Sequence, residues 1–515
     1  MANCIILTGG TWMPEDKCSV QRSLGPYRIA TCLEDAGYTT FVLDFIINLT
    51  TDEIISAIAK HLGPDTLWVG FSSSFFWPGT PKHIAYQSVS KETLTVTGLH
   101  EMYWTPDYAE VTKIIDYIKL HSNAKLIYGG ARAQYFIIDK NIDYYVLGNA
   151  DNSVKELTDF LNSNVDQLTA SRSVAIDDAT VTVIDSDDYP EPDTKNITTN
   201  WFNKNFNVLP NEGVPMELAR GCIFKCTFCD YHLTGKKKGT YLRSVDQVRD
   251  EMIRTWELTG TDSYYFSDDT FNDDNDKLEA LHGMFTSLPF KPKFSCYLRV
   301  DLLNRYTHQA DLLVDMGLVG TFFGLETMQP DSAKSIGKGL HPNKVKDRLY
   351  WLEERWKNKV NIEAGFILGL PHDSMAYFND LLTWTLEEDN PLQNIHYYPL
   401  YLFNRDKGDP LVKYGSEFSI NPDVYGYTFE KNQAPIWTLA SQRLNYSLCL
   451  DIATKFNELR SPMNKMAGFH VITAMNSGIA LDDIYRCTID EIKQKYNIPK
   501  LNKKRLEQYK LLVGI

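Results

Sequence analysis

Short apolar runs alternate with longer amphipathic segments over the first 160 residues of the chain. The short runs are bounded by turn-forming residues, whereas the longer segments repeat their apolar positions every three or four residues. This alternation predicts an open parallel sheet with helices on both faces, of the flavodoxin or Rossmann type. The predicted strands are 4–8, 40–43, 67–71, 125–128 and 144–147, and the predicted helices are 27–36, 51–61 and 108–121.

The pattern changes twice further along the chain. Residues 165–205 are rich in aspartate and contain Pro190 and Pro192, which predicts an irregular linker. Strand and helix patterns then resume and predict a partial (β/α)6 barrel, whose chemistry gathers at the carboxyl ends of its strands. The final segment has mainly helical spacing, which predicts a mainly helical cap. The predicted units are 1–164, the linker 165–205, 206–405 and 406–515, and the predicted barrel strands are 263–266, 293–298, 320–324, 361–368 and 395–402.

Composition narrows the class of protein. The 515 residues are 43% hydrophobic and 23% charged, which is a globular balance, and the net charge of −14 disfavours nucleic acid as a partner. No apolar run reaches the roughly 18–20 residues of a membrane span, and the amino terminus does not resemble a signal peptide. Three of the nine cysteines lie within eight residues, which indicates a metal site in a reducing compartment. We therefore expect a cytoplasmic protein.

The three clustered cysteines are Cys222, Cys226 and Cys229, spaced C-x3-C-x2-C. Three thiolates on one short loop can bind three irons of a [4Fe–4S] cluster and leave the fourth iron open to another ligand. The alternative is a structural zinc site, for which His232 would be the fourth ligand.

The segments that follow this motif make the chain resemble the radical SAM (S-adenosylmethionine) superfamily. The resemblance implies that SAM chelates the open iron and is cleaved to a 5′-deoxyadenosyl radical. Phe228 matches the family position beside the adenine, and Gly365-Phe366-Ile367-Leu368-Gly369 matches the pattern that backs it. His372 stands where the family often has glutamate. The other residues that the resemblance implies in SAM binding are Asp268, Asp269, Arg299, Glu326, Ile367 and Gly369.

The first 160 residues resemble the cobalamin-binding domain of B12-dependent radical SAM enzymes. The likeness implies that Ser72, Gly129 and Gly130 contact the cofactor, while Asn149 and Asp151 replace the family's usual acids. A literal D-x-H-x-x-G motif occurs at 230–235, but it follows the cysteine loop instead of the first strand. We therefore expect cobalamin, if the domain has retained it, to bind without a protein histidine ligand.

Together these resemblances imply a cobalamin-dependent methyltransferase that acts on an unactivated carbon through a 5′-deoxyadenosyl radical and methylcobalamin. They also imply a small-molecule or peptide substrate and an electron donor such as flavodoxin or ferredoxin. Two alternatives remain open: a radical SAM oxidoreductase, isomerase or cyclase that transfers no methyl group, and a zinc-stabilised binding protein without catalysis.

Overall fold

The computed structural model describes most of the chain. The described residues are 1–9, 11–12, 20–73, 108–130, 133, 140–176, 179–231, 233–402, 415–429 and 437–515. Two features of the sequence lie outside these ranges: His232, and residues 78–104, which are rich in threonine, histidine and tyrosine and are expected to be an insertion between a strand and a helix. Within them, no helix combines the length and the apolar character that crossing a bilayer requires.

The first sheet has seven strands in the order β4-β1-β5-β6-β7-β9-β8. Its first five strands are parallel and have the flavodoxin order, so the predicted fold class is confirmed. A separate hairpin, β2–β3, precedes the first helix. The strands are β1 Cys4–Leu7, β2 Thr11–Trp12, β3 Val20–Gln21, β4 Thr40–Leu43, β5 Trp68–Ser72, β6 Lys125–Gly130, β7 Tyr144–Leu147, β8 Arg172–Ile176 and β9 Ala179–Asp185; the helices are α1 Leu24–Asp35, α2 Thr51–Ala59, α3 Tyr108–His121 and α4 Asp151–Leu161.

The prediction of an irregular linker is wrong for part of residues 165–205. Strands β8 and β9 lie in this segment, and β9 extends the first sheet by pairing in parallel with β7. In β9 the buried Val181 and Val183 alternate with more exposed threonines. This alternation is the ordinary signal of a half-buried strand, and the neighbouring aspartates concealed it.

The second sheet has six parallel strands that follow one another in sequence order, as a partial (β/α)6 barrel requires. Five of them were predicted. The sixth, β10, has three residues with Pro215 at its centre and therefore lacks a clear strand signal. The strands are β10 Val214–Met216, β11 Ser263–Phe266, β12 Lys293–Leu298, β13 Leu318–Glu326, β14 Asn361–Leu368 and β15 Asn394–Pro399; the helices are α5 Val245–Thr259, α6 Asn275–Thr286, α7 Val300–Arg305, α8 Gln309–Met316, α9 Pro330–Ser335, α10 Pro342–Trp356 and α11 Met375–Thr385.

The carboxyl-terminal region contacts both sheets. Its last helix packs on the first sheet, where Tyr509 and Val513 join the hydrophobic core and the Tyr509 hydroxyl accepts a hydrogen bond from Asp44 N at 2.8 Å. The turn Gly468–His470 packs on the second sheet. The region also has a small antiparallel sheet that the helical spacing did not predict. Its elements are α12 Glu417–Ile420, β16 Tyr427–Phe429, β17 Trp437–Leu439, β18 Leu444–Asn445, α13 Tyr446–Arg460, α14 Val471–Asn476, α15 Leu481–Arg486, α16 Ile489–Lys495 and α17 Ile498–Val513.

Candidate functional site

The three clustered cysteines lie on a loop between β10 and α5 that folds back on itself. Cys222 N donates to Leu233 O at 2.9 Å, and Cys222 O accepts from Lys236 N at 3.0 Å. Gly235 N donates to Phe224 O at 3.0 Å. The D-x-H-x-x-G sequence therefore forms the returning half of the cysteine loop, which agrees with its exclusion as a cobalamin motif.

The three thiols are buried or half-buried, and one of them accepts a hydrogen bond from an arginine. Cys222 is buried and its Sγ lies 3.8 Å from Thr270 Oγ1, whereas Cys226 and Cys229 are half-buried. Arg299 Nη1 donates to Cys226 Sγ at 3.6 Å. Burial raises the pKa of the Cys229 thiol to about 12, so the free thiol resists ionisation. Iron coordination deprotonates such a thiol, and three thiols on one loop match the donor set of a [4Fe–4S] cluster.

The zinc alternative requires four converging ligands. Among the residues that the structure describes, no three histidine, cysteine, aspartate or glutamate side chains converge closely enough to hold a single metal ion. A cluster spreads its thiolates around several irons, so it does not require that convergence. The proposed fourth zinc ligand, His232, lies outside the described residues.

Asp268 and Asp269 follow β11 but have different surroundings. Both carboxylate oxygens of Asp268 accept from Leu218 N at 3.0 Å, and burial raises the pKa of this acid to about 7. Asp268 therefore holds the beginning of the cysteine loop. Asp269 is accessible from a cavity, and its pKa is raised to about 6 by the surrounding protein and by Asp230. Of the two, Asp269 is the acid positioned to meet a ligand.

Arg299 connects the cysteine loop to the end of β12. Its guanidinium lies 3.8 Å from the centroid of the Phe224 ring and forms two hydrogen bonds with Asp301, at 3.0 and 2.9 Å. The backbone of Arg299 is held on both sides by Asn272, whose Oδ1 accepts at 2.9 Å and whose Nδ2 donates at 3.2 Å. Asn272 is a buried positioning residue that the sequence reasoning missed.

Glu326 ends β13 with a left-handed backbone, at φ 66°. Its carboxylate lies 3.8 Å from Lys338 Nζ, which also donates to Gly324 O at 2.7 Å. Burial raises the pKa of Glu326, and the nearby cations Lys338 and Arg299 oppose that shift. A side chain at Gly324 would overlap the Glu326 carboxylate, so the glycine keeps this space open.

The Gly365–Gly369 segment ends in a turn held by Asp373. This buried carboxylate accepts from Gly369 N and Leu370 N, each at 3.0 Å, and from Ser332 Oγ at 2.9 Å. Gly369 has φ 99°, and a side chain there would overlap the Trp437 ring. Ile367 is half-buried, as is Phe228 on the cysteine loop.

Replacing Asp373 with asparagine is expected to stabilise the protein above pH 7. Burial raises the pKa of Asp373 to about 7, so the folded state binds a proton that the unfolded state releases near pH 4. The stability contribution of this proton is lost as the pH rises through 7. Asparagine preserves acceptors for both N–H groups without the charge, so Asp373→Asn should raise the free energy of unfolding at pH 8 by about 2 kcal/mol.

Urea unfolding at pH 5 and pH 8 measures this effect. The gain should shrink at pH 5, and the exposed Asp423→Asn should change stability at neither pH. A loss of stability at pH 8 would show that the carboxylate is ionised and needed there.

A cavity of about 280 Å³ lies between the two sheets. The first sheet contributes the carboxyl ends of its strands, including Ser72, Gly129 and Gly130. The second sheet contributes Arg220, from the cysteine loop, and Asp269. The residues predicted to contact cobalamin and one predicted to contact SAM therefore share one cavity. Its apolar wall is formed by Ile6, Ile29, Trp68, Ile127, Val146 and Val154.

A buried ion network joins the two sheets beside this cavity. Asp151, at the start of α4, accepts from Arg28 Nε at 2.8 Å and from Arg220 Nη1 at 2.6 Å. Arg220 also pairs with Glu217 at 2.7 Å, and it lies two residues before Cys222. Burial opposes the ionisation of Asp151, but Arg220 and Arg28 outweigh it and lower its pKa. The network was not predicted.

Cys4, Cys18 and Cys32 recur every 14 residues, a spacing that makes an auxiliary cluster conceivable, but the strand and helix patterns around Cys4 and Cys32 favour buried packing. Cys4 is fully buried in β1, and Cys32 lies in α1, 3.7 Å from Asp151. Cys18 lies outside the described residues. Burial raises the pKa of both described thiols, which agrees with a packing role.

Comparisons with known proteins agree with this arrangement. Residues 216–385 match the family model of the radical SAM superfamily. The cytidylyl-2-hydroxyethylphosphonate methyltransferase of Streptomyces wedmorensis is 27% identical over 157 residues, which are 30% of this chain and 28% of that protein. An uncharacterized methyltransferase of Pyrococcus horikoshii is 27% identical over 173 residues, 32% of this chain and 35% of that protein. The chain thus spans about a third of the length of these relatives.

Two solved structures share the fold. The radical SAM methyltransferase TsrM of Kitasatospora setae, with tryptophan substrate and a SAM analogue bound, has a TM-score of 0.61 at 15% identity, covering 96% of this chain and 98% of that one. The cobalamin-dependent radical SAM enzyme OxsB, with aqua-cobalamin and SAM bound, has a TM-score of 0.53 at 14% identity, covering 82% of this chain and 56% of that one. The order of a flavodoxin-like sheet followed by a radical SAM barrel is therefore a known architecture.

Proposed function

Residues 216–385 belong to the radical SAM superfamily, and we propose that the whole chain is a cobalamin-dependent radical SAM methyltransferase. The single observation that carries this proposal is the cavity between the two sheets. It joins the carboxyl ends of the flavodoxin-like strands to the cysteine loop and to Asp269. A methyl carrier bound there would lie next to the site at which SAM is cleaved.

Different residues around the second sheet would bind the cluster and SAM. Cys222, Cys226 and Cys229 would bind the [4Fe–4S] cluster, and Arg299 would stabilise the thiolate of Cys226 by donating to its sulfur. Asp269 and Glu326 present carboxylates that can accept hydrogen bonds from the ammonium group of SAM. When bound, the cluster supplies the electron that cleaves SAM and the corrin supplies a methyl group.

The chemistry of the cavity supports cobalamin. Gly129 and Gly130 line the cavity at the carboxyl end of β6, and Gly130 has φ 120°, a conformation that favours glycine. The apolar wall around Ile29 and Trp68 suits the flat benzimidazole base of the cofactor. At the first strand, where a histidine ligand would be expected, the sequence Thr8-Gly9-Gly10-Thr11-Trp12 contains none. We therefore propose that the corrin binds without a protein histidine ligand.

Reconstitution with hydroxocobalamin tests the corrin site directly. The wild-type protein should retain the corrin spectrum after desalting. Ile29 is half-buried in the cavity wall, so Ile29→Trp should fill the space and lower retention at least about tenfold, while Ile29→Val should retain the corrin. If the wild type releases all corrin, the methyltransferase proposal fails and a non-methylating radical SAM activity takes its place.

The substrate, the electron donor and the cellular compartment are proposed on the basis of this radical SAM chemistry. We propose a small-molecule substrate, which agrees with the tryptophan bound by the structurally similar TsrM. The electron that cleaves SAM would come from a reduced flavodoxin or ferredoxin. The three cysteines must remain reduced and free of disulfides to bind iron, so we propose that the protein acts in the cytoplasm.

A further inference from the structure

The second sheet has an inner face, defined here as the face that carries Ser295 and Gly320. On this face the side chains of neighbouring strands form layers, as in parallel barrels generally. The lowest layer is closed by the carboxyl-terminal region: Ser295 Oγ donates to Gly468 O at 2.9 Å, and a side chain at Gly320 would overlap that carbonyl. Asn361 Nδ2 donates to Met466 O at 2.8 Å in the same layer.

The next layer contains one acid among aromatic rings. Phe322 of β13 is in register with Tyr297 of β12 and with Glu363 of β14. The Tyr297 ring lies 4.2 Å from Phe469 and 5.6 Å from Phe322, measured between centroids. Glu363 is buried, and the contacts of its two oxygens with the described residues are long, at 3.4 Å to His396 Nε2 and at 3.4 Å from Phe469 N.

Space remains above this layer. Tyr297, on the interior strand β12, is 37% exposed and Tyr398, on the edge strand β15, is 43% exposed, although most residues of both strands are buried. Gly365, in register with His396, has no side chain, and the Phe322 ring packs directly over its backbone. Within the described residues, the Tyr398 hydroxyl has no hydrogen-bond partner; burial raises its pKa, and the nearby Glu363, Tyr297 and Glu326 add to that shift. Accessible rings on an inner face indicate a ligand pocket.

We propose that this pocket binds the substrate, and that the substrate is an aromatic compound with a protonated amine, whose ammonium group pairs with Glu363. The inference rests on the proposed function, since it assigns the substrate of that enzyme. Glu363, His396, Tyr398 and Tyr297 are assigned as substrate-binding residues. The aromatic rings of Tyr297, Phe322 and Phe469 would hold the ring of the substrate.

The charges around the pocket favour a cation. The upper acid, Glu326, already faces Lys338 at 3.8 Å, with Arg299 nearby. Burial opposes the ionisation of the lower acid, Glu363, but His396, His470 and the Phe469 N–H outweigh it and lower its pKa. Its contacts with His396 and Phe469 are long, at 3.4 Å each, so its oxygens can still accept a hydrogen bond from an ammonium group. Aromatic faces stabilise an ammonium group further, whereas they would offer a carboxylate nothing.

Binding of tryptamine to the reconstituted protein tests this assignment, with titration calorimetry as the readout. Tryptamine should bind, and indole-3-propionate, which has a carboxylate in place of the amine, should bind at least about tenfold more weakly. Glu363→Gln should weaken tryptamine binding at least about tenfold and Glu363→Asp less. The matched control is Glu354→Gln, an exposed acid on α10, which should bind tryptamine like the wild type.

Measurements of cluster content and SAM cleavage distinguish a wrong substrate assignment from a wrong proposed function. Iron and sulfide content should be the same in all variants, which shows that they fold. If the wild type generates 5′-deoxyadenosine with dithionite but binds neither probe, or binds both equally, the substrate assignment is wrong and the proposed function stands. If Glu363→Gln binds tryptamine as tightly as the wild type, the assignment is also wrong. If the wild type cleaves no SAM, the proposed function itself fails.

Discussion

Cys222→Ala protein is expected to lose its iron–sulfur cluster and, with it, at least about 10³-fold of its SAM cleavage activity. Cys222 is the most buried of the three thiols, and its backbone N–H and carbonyl both hold the fold of the cysteine loop. Because the loop offers only three thiols, removing one leaves too few protein ligands for a cluster with one open iron. Iron and sulfide content, absorbance near about 400 nm and 5′-deoxyadenosine formation measure the loss.

The control for this experiment is Cys487→Ala. Cys487 is also half-buried and lies outside the loop, 3.9 Å from Asp483 Oδ1. It should retain full iron and sulfide. The radical SAM assignment would be contradicted if Cys222→Ala protein bound a full complement of iron and sulfide and still formed 5′-deoxyadenosine. A colourless wild-type protein that binds zinc after anaerobic purification would instead favour the zinc alternative.

The parallel strands were predictable because both of their faces are covered. β1, β4 and β11 are buried at every position, so apart from Thr40 and Ser263 at their starts they consist of apolar or aromatic residues. β10 has a proline and only three residues, and it is a strand because β11 pairs with it in register. Its structure comes from a tertiary contact, which local sequence does not encode.

The part of the candidate site that could be predicted is the part whose residues lie close together in the sequence. The C-x3-C-x2-C motif indicates a cluster from the sequence alone, because its spacing places the three thiols on one loop. The sequence could not distinguish Asp268 from Asp269, because their difference depends on Leu218, fifty residues away. Asp373 and Asn272 were missed because the groups that they hold are backbone atoms, which have no sequence signature.

Asp151 is the clearest example of a residue whose contacts could not be predicted from the sequence. It was noticed only as a replacement for an acid that the cobalamin-binding family usually has at that position. Its partners lie 123 residues before it and 69 residues after it in the chain. Arg28 comes from the first sheet's opening helix and Arg220 from the cysteine loop. The contact therefore exists only because the two sheets meet, and no local pattern predicts it.

Asp151→Asn is expected to lower the free energy of unfolding by about 3 kcal/mol. Its side chain is 4% exposed and accepts from two guanidinium groups, so the neutral amide leaves Arg28 and Arg220 buried without their shared anion. Glu217 still pairs with Arg220, but among the described residues Arg28 retains only the carbonyl of Thr198 as a hydrogen-bond acceptor. Urea unfolding followed by tryptophan fluorescence measures the loss, with the exposed Asp166→Asn as the control. A loss below about 1 kcal/mol would mean that solvent reaches the network and that it does not hold the two sheets together.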